Sequence, residues 1–194
     1  MDQTLRFYDT YTDDFVERTM ASDMAGPQGR FLAYIRPGGR ILDLGCGAGR
    51  DSKAFQDSGY QVEAVDGSEA LCAAASRLLG RPVRRMLFKE LDDRQAFDAV
   101  WASASLLHVP SAEIADVLLR VKAALKPGGI FYLSVKQGTF EGERGGRYFT
   151  DYTEDRLCGL LCSCGFQVLE CWISKDARPE GMEIFINVIV KETA

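Results

Sequence analysis

Ile41-Leu42-Asp43-Leu44-Gly45-Cys46-Gly47-Ala48-Gly49-Arg50 is an apolar run that breaks into a glycine-rich turn. Residues 41–44 have the length and composition of a buried parallel strand. Gly45, Gly47 and Gly49 then remove the side chains that would keep a ligand from the backbone. A helix predicted over 50–58 follows, and its first free N–H groups suit an anionic group. Strand, turn and helix together form a corner that binds a nucleotide-like molecule.

Two residues narrow the ligand. A dinucleotide fingerprint needs a third glycine at position 50 for close helix-to-strand packing, and that position is Arg50. Asp43, two residues before the first glycine, ends the strand with a carboxylate that attracts an amine and repels a pyrophosphate. An amino acid joined to a nucleoside, carrying an ammonium and a carboxylate, meets both conditions. S-adenosylmethionine is such a molecule.

The stretch 41–49 resembles the first motif of the class I S-adenosylmethionine-dependent methyltransferases, (apolar)-(apolar)-D/E-(apolar)-G-C-G-x-G. Three further segments extend the resemblance in order. Val62-Glu63-Ala64-Val65-Asp66, followed by Gly67-Ser68, is similar to the second strand, whose terminal acid in that family binds the ribose hydroxyls. A carboxylate can accept from two neighbouring hydroxyls at once. Residues 97–102 resemble the fourth strand, and Leu125-Lys126-Pro127-Gly128-Gly129 the turn into the fifth. Within the family, Gly-Arg-Asp-Ser at 49–52 and Leu-Leu-His-Val-Pro at 106–110 resemble tellurite-resistance-like methyltransferases.

The resemblance implies a Rossmann-like, doubly wound, mostly parallel seven-stranded sheet with helices on both faces and a reversed last strand. Alternating segments from residue 39 onward agree. Strands are predicted over 40–44, 61–65, 83–88, 96–102, 129–135, 167–173 and 183–191, and helices near 50–58, 69–79, 111–124 and 153–164. Ser111 is the expected N-cap of the third of these helices. Ile114, Leu118, Val121 and Leu125 recur at helical spacing as one sheet-facing stripe. A chain of 194 residues that is 46% hydrophobic suits a single domain. It is divided here into a helical cap at 1–38 and an α/β core at 39–194.

A net charge of −5 argues against nucleic acid as a habitual partner. No segment approaches the roughly 20 apolar residues of a membrane span, and Met1-Asp2-Gln3-Thr4 does not resemble a secretion signal, so a cytoplasmic location is expected. The oligomeric state is not legible. The six cysteines are then expected to be reduced. Cys158, Cys162 and Cys164 approach an iron–sulfur spacing, but Gly165 occupies the place of the third ligand. No metal site is expected.

Ligands of such sheets bind at the carboxyl ends of the strands. The cofactor candidates are Tyr11, Asp43, Gly45, Cys46, Gly47, Gly49, Asp66, Gly67, Ser68, Leu87, Phe88 and Ala102. No acid is well placed after the third strand, so Leu87 and Phe88 are expected against the adenine. The single histidine, His108, follows the fourth strand, where a neutral imidazole can take a proton from an acceptor or simply pack the next helix. Tyr8, Arg147 and Tyr148, with His108, are the substrate candidates, and the glycine-rich 138–150 reads as a mobile lid. The chemistry implied is direct in-line transfer of the sulfonium methyl to an O, N or S atom of a small-molecule acceptor. A protein that binds S-adenosylmethionine or S-adenosylhomocysteine as a sensor or accessory subunit is the alternative, and a dehydrogenase is opposed by Arg50.

Overall fold

The computed structural model describes residues 2–178 and 181–193. Its strands are β1 (Arg40–Leu44), β2 (Gln61–Asp66), β3 (Arg84–Arg85), β4 (Phe97–Ser103), β5 (Leu125–Lys136), β6 (Glu141–Arg144), β7 (Arg147–Thr150), β8 (Phe166–Lys175) and β9 (Ile184–Glu192). Seven of them form one sheet in the order β3-β2-β1-β4-β5-β9-β8. The pairings from β3 through β5 are parallel, whereas β9 runs antiparallel to both β5 and β8. This is the doubly wound sheet with a reversed last strand, and the switch in strand order falls beside β1.

The helices are α1 (Asp2–Thr10), α2 (Thr12–Met20), α3 (Ala25–Leu32), α4 (Arg50–Asp57), α5 (Glu69–Leu79), α6 (Ile114–Ala124) and α7 (Glu154–Ser163). Strand residues alternate between two cores, as a sheet covered on both faces requires. Leu42, Leu44, Val100, Phe131 and Leu133 pack with Leu118 and Val121 of α6 and Leu157 and Leu161 of α7. Ile41, Ala99, Trp101, Ile130 and Tyr132 pack with Phe31 of α3 and Phe55 of α4. Trp101 stacks on Tyr132 with ring centroids 3.8 Å apart.

Four expectations change. The third strand shrinks from 83–88 to two residues, because the Leu87 N–H donates to the Glu90 carboxylate at 2.8 Å and the chain turns into a 3₁₀ segment at Phe88–Glu90. Helix α6 starts at Ile114 and not at 111, since the Ser111 N–H is taken by Glu141 at 2.8 Å and Glu113 stands at the N-cap. The fifth strand begins at Leu125, which pairs with Phe97 ahead of a register shift. The glycine-rich segment 138–150, expected as a loop, contains the β6–β7 hairpin. Gly145 and Gly146, at φ +57° and +76°, make the tight turn between its strands.

Candidate functional site

A cavity of about 530 Å³ lies at the carboxyl ends of β1, β2 and β4. Its floor is the turn after β1. Gly45 and Gly47 have φ of +82° and +56°, which side chains rarely adopt. A Cβ on Gly45 would meet Ser105 Cβ at 2.5 Å, and one on Gly47 would meet the Phe15 ring at 3.3 Å. The N–H groups of Gly45 and Cys46 both donate to the Val65 carbonyl at 2.9 Å, tying the turn to β2.

Two carboxyls flank this turn. Asp66 accepts from Gly47 N–H and Ser68 N–H, each at 2.9 Å, one on each oxygen. It is 9% exposed, and burial raises its pKa to about 6 against those hydrogen bonds. Asp43 is 2% exposed and accepts from Ser52 Oγ at 2.6 Å. Burial, and then the nearby Asp51 carboxylate, raise its pKa to about 8. Asp51 itself is fully engaged. It takes two bonds from Arg50, at 2.8 and 2.9 Å, one from Trp101 Nε1 at 2.8 Å and one from Gln28 at 2.9 Å.

The opposite end is aromatic and cationic. His108 Nδ1 lies 2.6 Å from the Tyr148 carbonyl, which can only accept, so this nitrogen carries the proton. Nε2 is therefore the acceptor in the neutral ring, and the Tyr8 hydroxyl donates to it at 2.9 Å. Burial lowers the His108 pKa to about 4, with the Arg147 and Lys136 charges acting in the same direction. Arg147 lies over Phe7, Phe149 and Tyr8, its guanidinium carbon 4.5, 5.1 and 5.7 Å from the ring centroids. Lys136 pairs with Glu183 at 2.5 Å, and Arg178 pairs with Asp176.

Of the residues expected in the site, Asp43, Gly45, Cys46, Gly47, Asp66, Gly67, Leu87 and Phe88 line the cavity, as do Tyr8, His108 and Arg147. Five do not. Tyr11 sits between α1 and α2, is 53% exposed and packs on Phe7 at 4.8 Å, facing away from the cavity. Gly49 is the left-handed N-cap of α4 and packs on Ala75. Ser68 caps α5, accepting from Leu71 N–H and donating to Asp9 at 2.6 Å. Ala102 points into the sheet core. Tyr148 turns its hydroxyl outward to Glu141 and contributes its backbone instead. His108, expected to offer a nitrogen to an acceptor, has both ring nitrogens engaged.

Several lining residues went unread. Ser134 and Lys136 end β5, and the rule that selected the other strand ends points to them as well. Asp176, Arg178 and Glu183 come from the connection between β8 and β9, and Phe15 and Thr19 from α2. Nothing local in the sequence marks Asp176, Arg178, Glu183 or Thr19 for the site. Among the described residues no cluster of His, Cys, Asp or Glu could hold a metal ion, and no helix is long and apolar enough to cross a membrane.

Residues 41–129 match a family model described as a methyltransferase domain. A ubiquinone biosynthesis O-methyltransferase of Bradyrhizobium is 37% identical over 100 residues, which are 49% of this chain and 39% of that protein. The match thus spans well under half the length of that relative. The structure of a Burkholderia thailandensis 1,6-didemethyltoxoflavin-N1-methyltransferase, with 1,6-didemethyltoxoflavin and S-adenosylhomocysteine bound, superposes with a TM-score of 0.82 at 23% identity. The superposition covers 100% of this chain and 88% of that one. A [4+2]-cyclase, SpnF, superposes at 0.67 with 21% identity over 96% of this chain and 81% of its own, so the fold is shared by proteins named for different reactions. Residues 41–129 thus match a methyltransferase domain, and the chain as a whole shares its fold with the Burkholderia methyltransferase structure.

Proposed function

We propose that this chain is an S-adenosylmethionine-dependent methyltransferase that moves the sulfonium methyl to a small-molecule acceptor by direct in-line displacement. The observation that carries the reading is the pair of buried carboxyls, Asp43 and Asp66, on either side of the left-handed glycine turn. A cationic ligand offsets the cost of ionising both, and a pyrophosphate does not. In this reading Gly45, Cys46, Gly47 and Gly49 shape the turn that receives the amino-acid portion. Asp66 and Gly67 form the ribose corner, with the Ser68 N–H orienting Asp66, whose oxygens keep lone pairs beyond their two backbone bonds. Leu87 and Phe88 cover the adenine.

Tyr8, His108 and Arg147 surround the acceptor. His108 holds the Tyr8 hydroxyl in place, and the Tyr148 carbonyl fixes the His108 tautomer. The cofactor supplies the reactivity, and the protein aligns donor and acceptor. Alignment of this kind removes on the order of 7–11 kcal/mol of barrier. The cavity volume falls within the range of small-molecule sites, which favours a metabolite-sized acceptor over a macromolecule.

Calorimetry with S-adenosylmethionine, S-adenosylhomocysteine and NAD tests the cofactor. The first two should bind and NAD should not, and Asp66→Ala should weaken binding roughly tenfold or more, the value of lost hydrogen bonds to a charged group. Binding of NAD alone would sink the reading. Radiolabelled methyl transfer to phenolic, amine and thiol acceptors then separates an enzyme from a binding-only sensor.

A further inference from the structure

We infer that the acceptor binds as an anion held against Arg147, so that the reaction joins a cationic donor to an anionic acceptor and needs no base from the protein. This deepens the function proposed above and rests on it. The first observation is a charge inventory. Around the acceptor end Lys136 is paired with Glu183, Arg178 with Asp176, and Arg144 with Asp151 at 3.2 Å. Arg147 has no carboxylate within ion-pair distance among the described residues. Its Nε is buried with no hydrogen-bond partner, and Nη1 reaches only the Tyr8 oxygen at 3.4 Å.

Burying a cation without a counter-charge is costly, and the three rings around it offset part of that cost. A planar anion completes the set. The guanidinium fork suits an oxyanion or a conjugated ring anion, and Phe149 and Tyr8, which line the cavity beside it, give a flat molecule aromatic surface to pack on.

The second observation is that, among the described residues, the candidate proton acceptors at this end are already engaged. His108 donates through Nδ1 and accepts through Nε2 from Tyr8. The Tyr8 hydroxyl gives its proton to His108, so its lone pairs face the Arg147 donor. The carboxylates at this end are engaged as well, Glu183 by Lys136 and Asp176 through both oxygens by Arg178. Burial that keeps His108 neutral down to about pH 4 also makes it a weak base. An acceptor that must lose a proton in the site finds no unengaged base among the described residues, whereas one already ionised finds Arg147.

The step then balances without proton transfer. A lone pair on the acceptor anion forms the bond to the methyl carbon, the carbon–sulfur bond breaks, and its electron pair stays on sulfur. A sulfonium and an anion become a thioether and a neutral methylated product. Opposite charges that cancel in the transition state gain from a dry site.

4-Nitrophenol tests this, because its anion absorbs in the visible and its neutral form does not. Titrated into protein saturated with S-adenosylhomocysteine, it should bind with its apparent pKa lowered by about one unit, a roughly tenfold preference for the anion. Arg147→Met should abolish the shift and Arg147→Lys should retain part of it, with S-adenosylhomocysteine affinity unchanged in both as the check on folding. Loss of the anion band on binding, an equal shift in Arg147→Met, or no saturable binding at millimolar concentration would overturn the inference. Failure of S-adenosylhomocysteine to bind at all would instead remove the function on which it rests.

Discussion

Asp43 carries the sharpest pH consequence of any single side chain. An unfolded aspartate titrates near 4, and in the fold burial holds this carboxyl protonated to about 8. The folded protein therefore binds more protons than the unfolded chain across that window, and its stability falls as pH rises through it. We expect the melting temperature of the cofactor-free protein to decline from pH 5 to pH 8, and Asp43→Asn to flatten the decline. A cationic ligand favours the ionised carboxyl, so affinity for S-adenosylmethionine should rise over the same range, with Asp66 adding to the trend near pH 6. Calorimetry in buffers of different ionisation enthalpy should detect the released proton. Asp43 and the glycines were legible because each lies within a few residues of the turn it serves, and Asp66, at the end of the next strand, through the family resemblance. The pairing of Tyr8 with His108, a hundred positions apart, has no local trace.

The β6–β7 hairpin shows how an element can be misread through its composition. Arg144-Gly145-Gly146-Arg147 between alternating residues is a two-residue hairpin signal, and glycine content had suggested mobility instead. Its position is fixed by contacts with α1. Thr4 Oγ1 accepts from Tyr148 N–H at 2.9 Å, and Arg147 lies over Phe7. Gly146 faces the Phe7 ring, where an added Cβ would stand 3.0 Å from it. Replacing both turn glycines by alanine should cost about 1–2 kcal/mol, since each must adopt positive φ. Chemical denaturation measures that loss. A methyl-transfer assay should show the acceptor KM rising while S-adenosylhomocysteine affinity stays the same, because the hairpin borders only one end of the cavity.

Three parts of the chain distant in sequence meet over the sheet: α1 and α2 above the glycine turn, the hairpin beside His108, and the β8–β9 connection carrying Asp176, Arg178 and Glu183. Their contacts with the core are fewer than those of the central strands, so they are expected to open first. Saturating S-adenosylhomocysteine should slow amide exchange in residues 4–20 and 141–150 far more than in β1, β4 or β5, and hydrogen-exchange mass spectrometry resolves this. Equal protection everywhere would mean that the helices do not cover the cofactor. The order of strands and helices, and the corner that takes the donor, were determined by sequence alone. Period-two and period-3.6 patterns and a glycine turn are local, and local backbone preference decides them. The acceptor end was decided only by tertiary structure. Whether an arginine is paired, or an imidazole has a nitrogen to spare, depends on which side chains meet it across the fold, and residue order does not encode that.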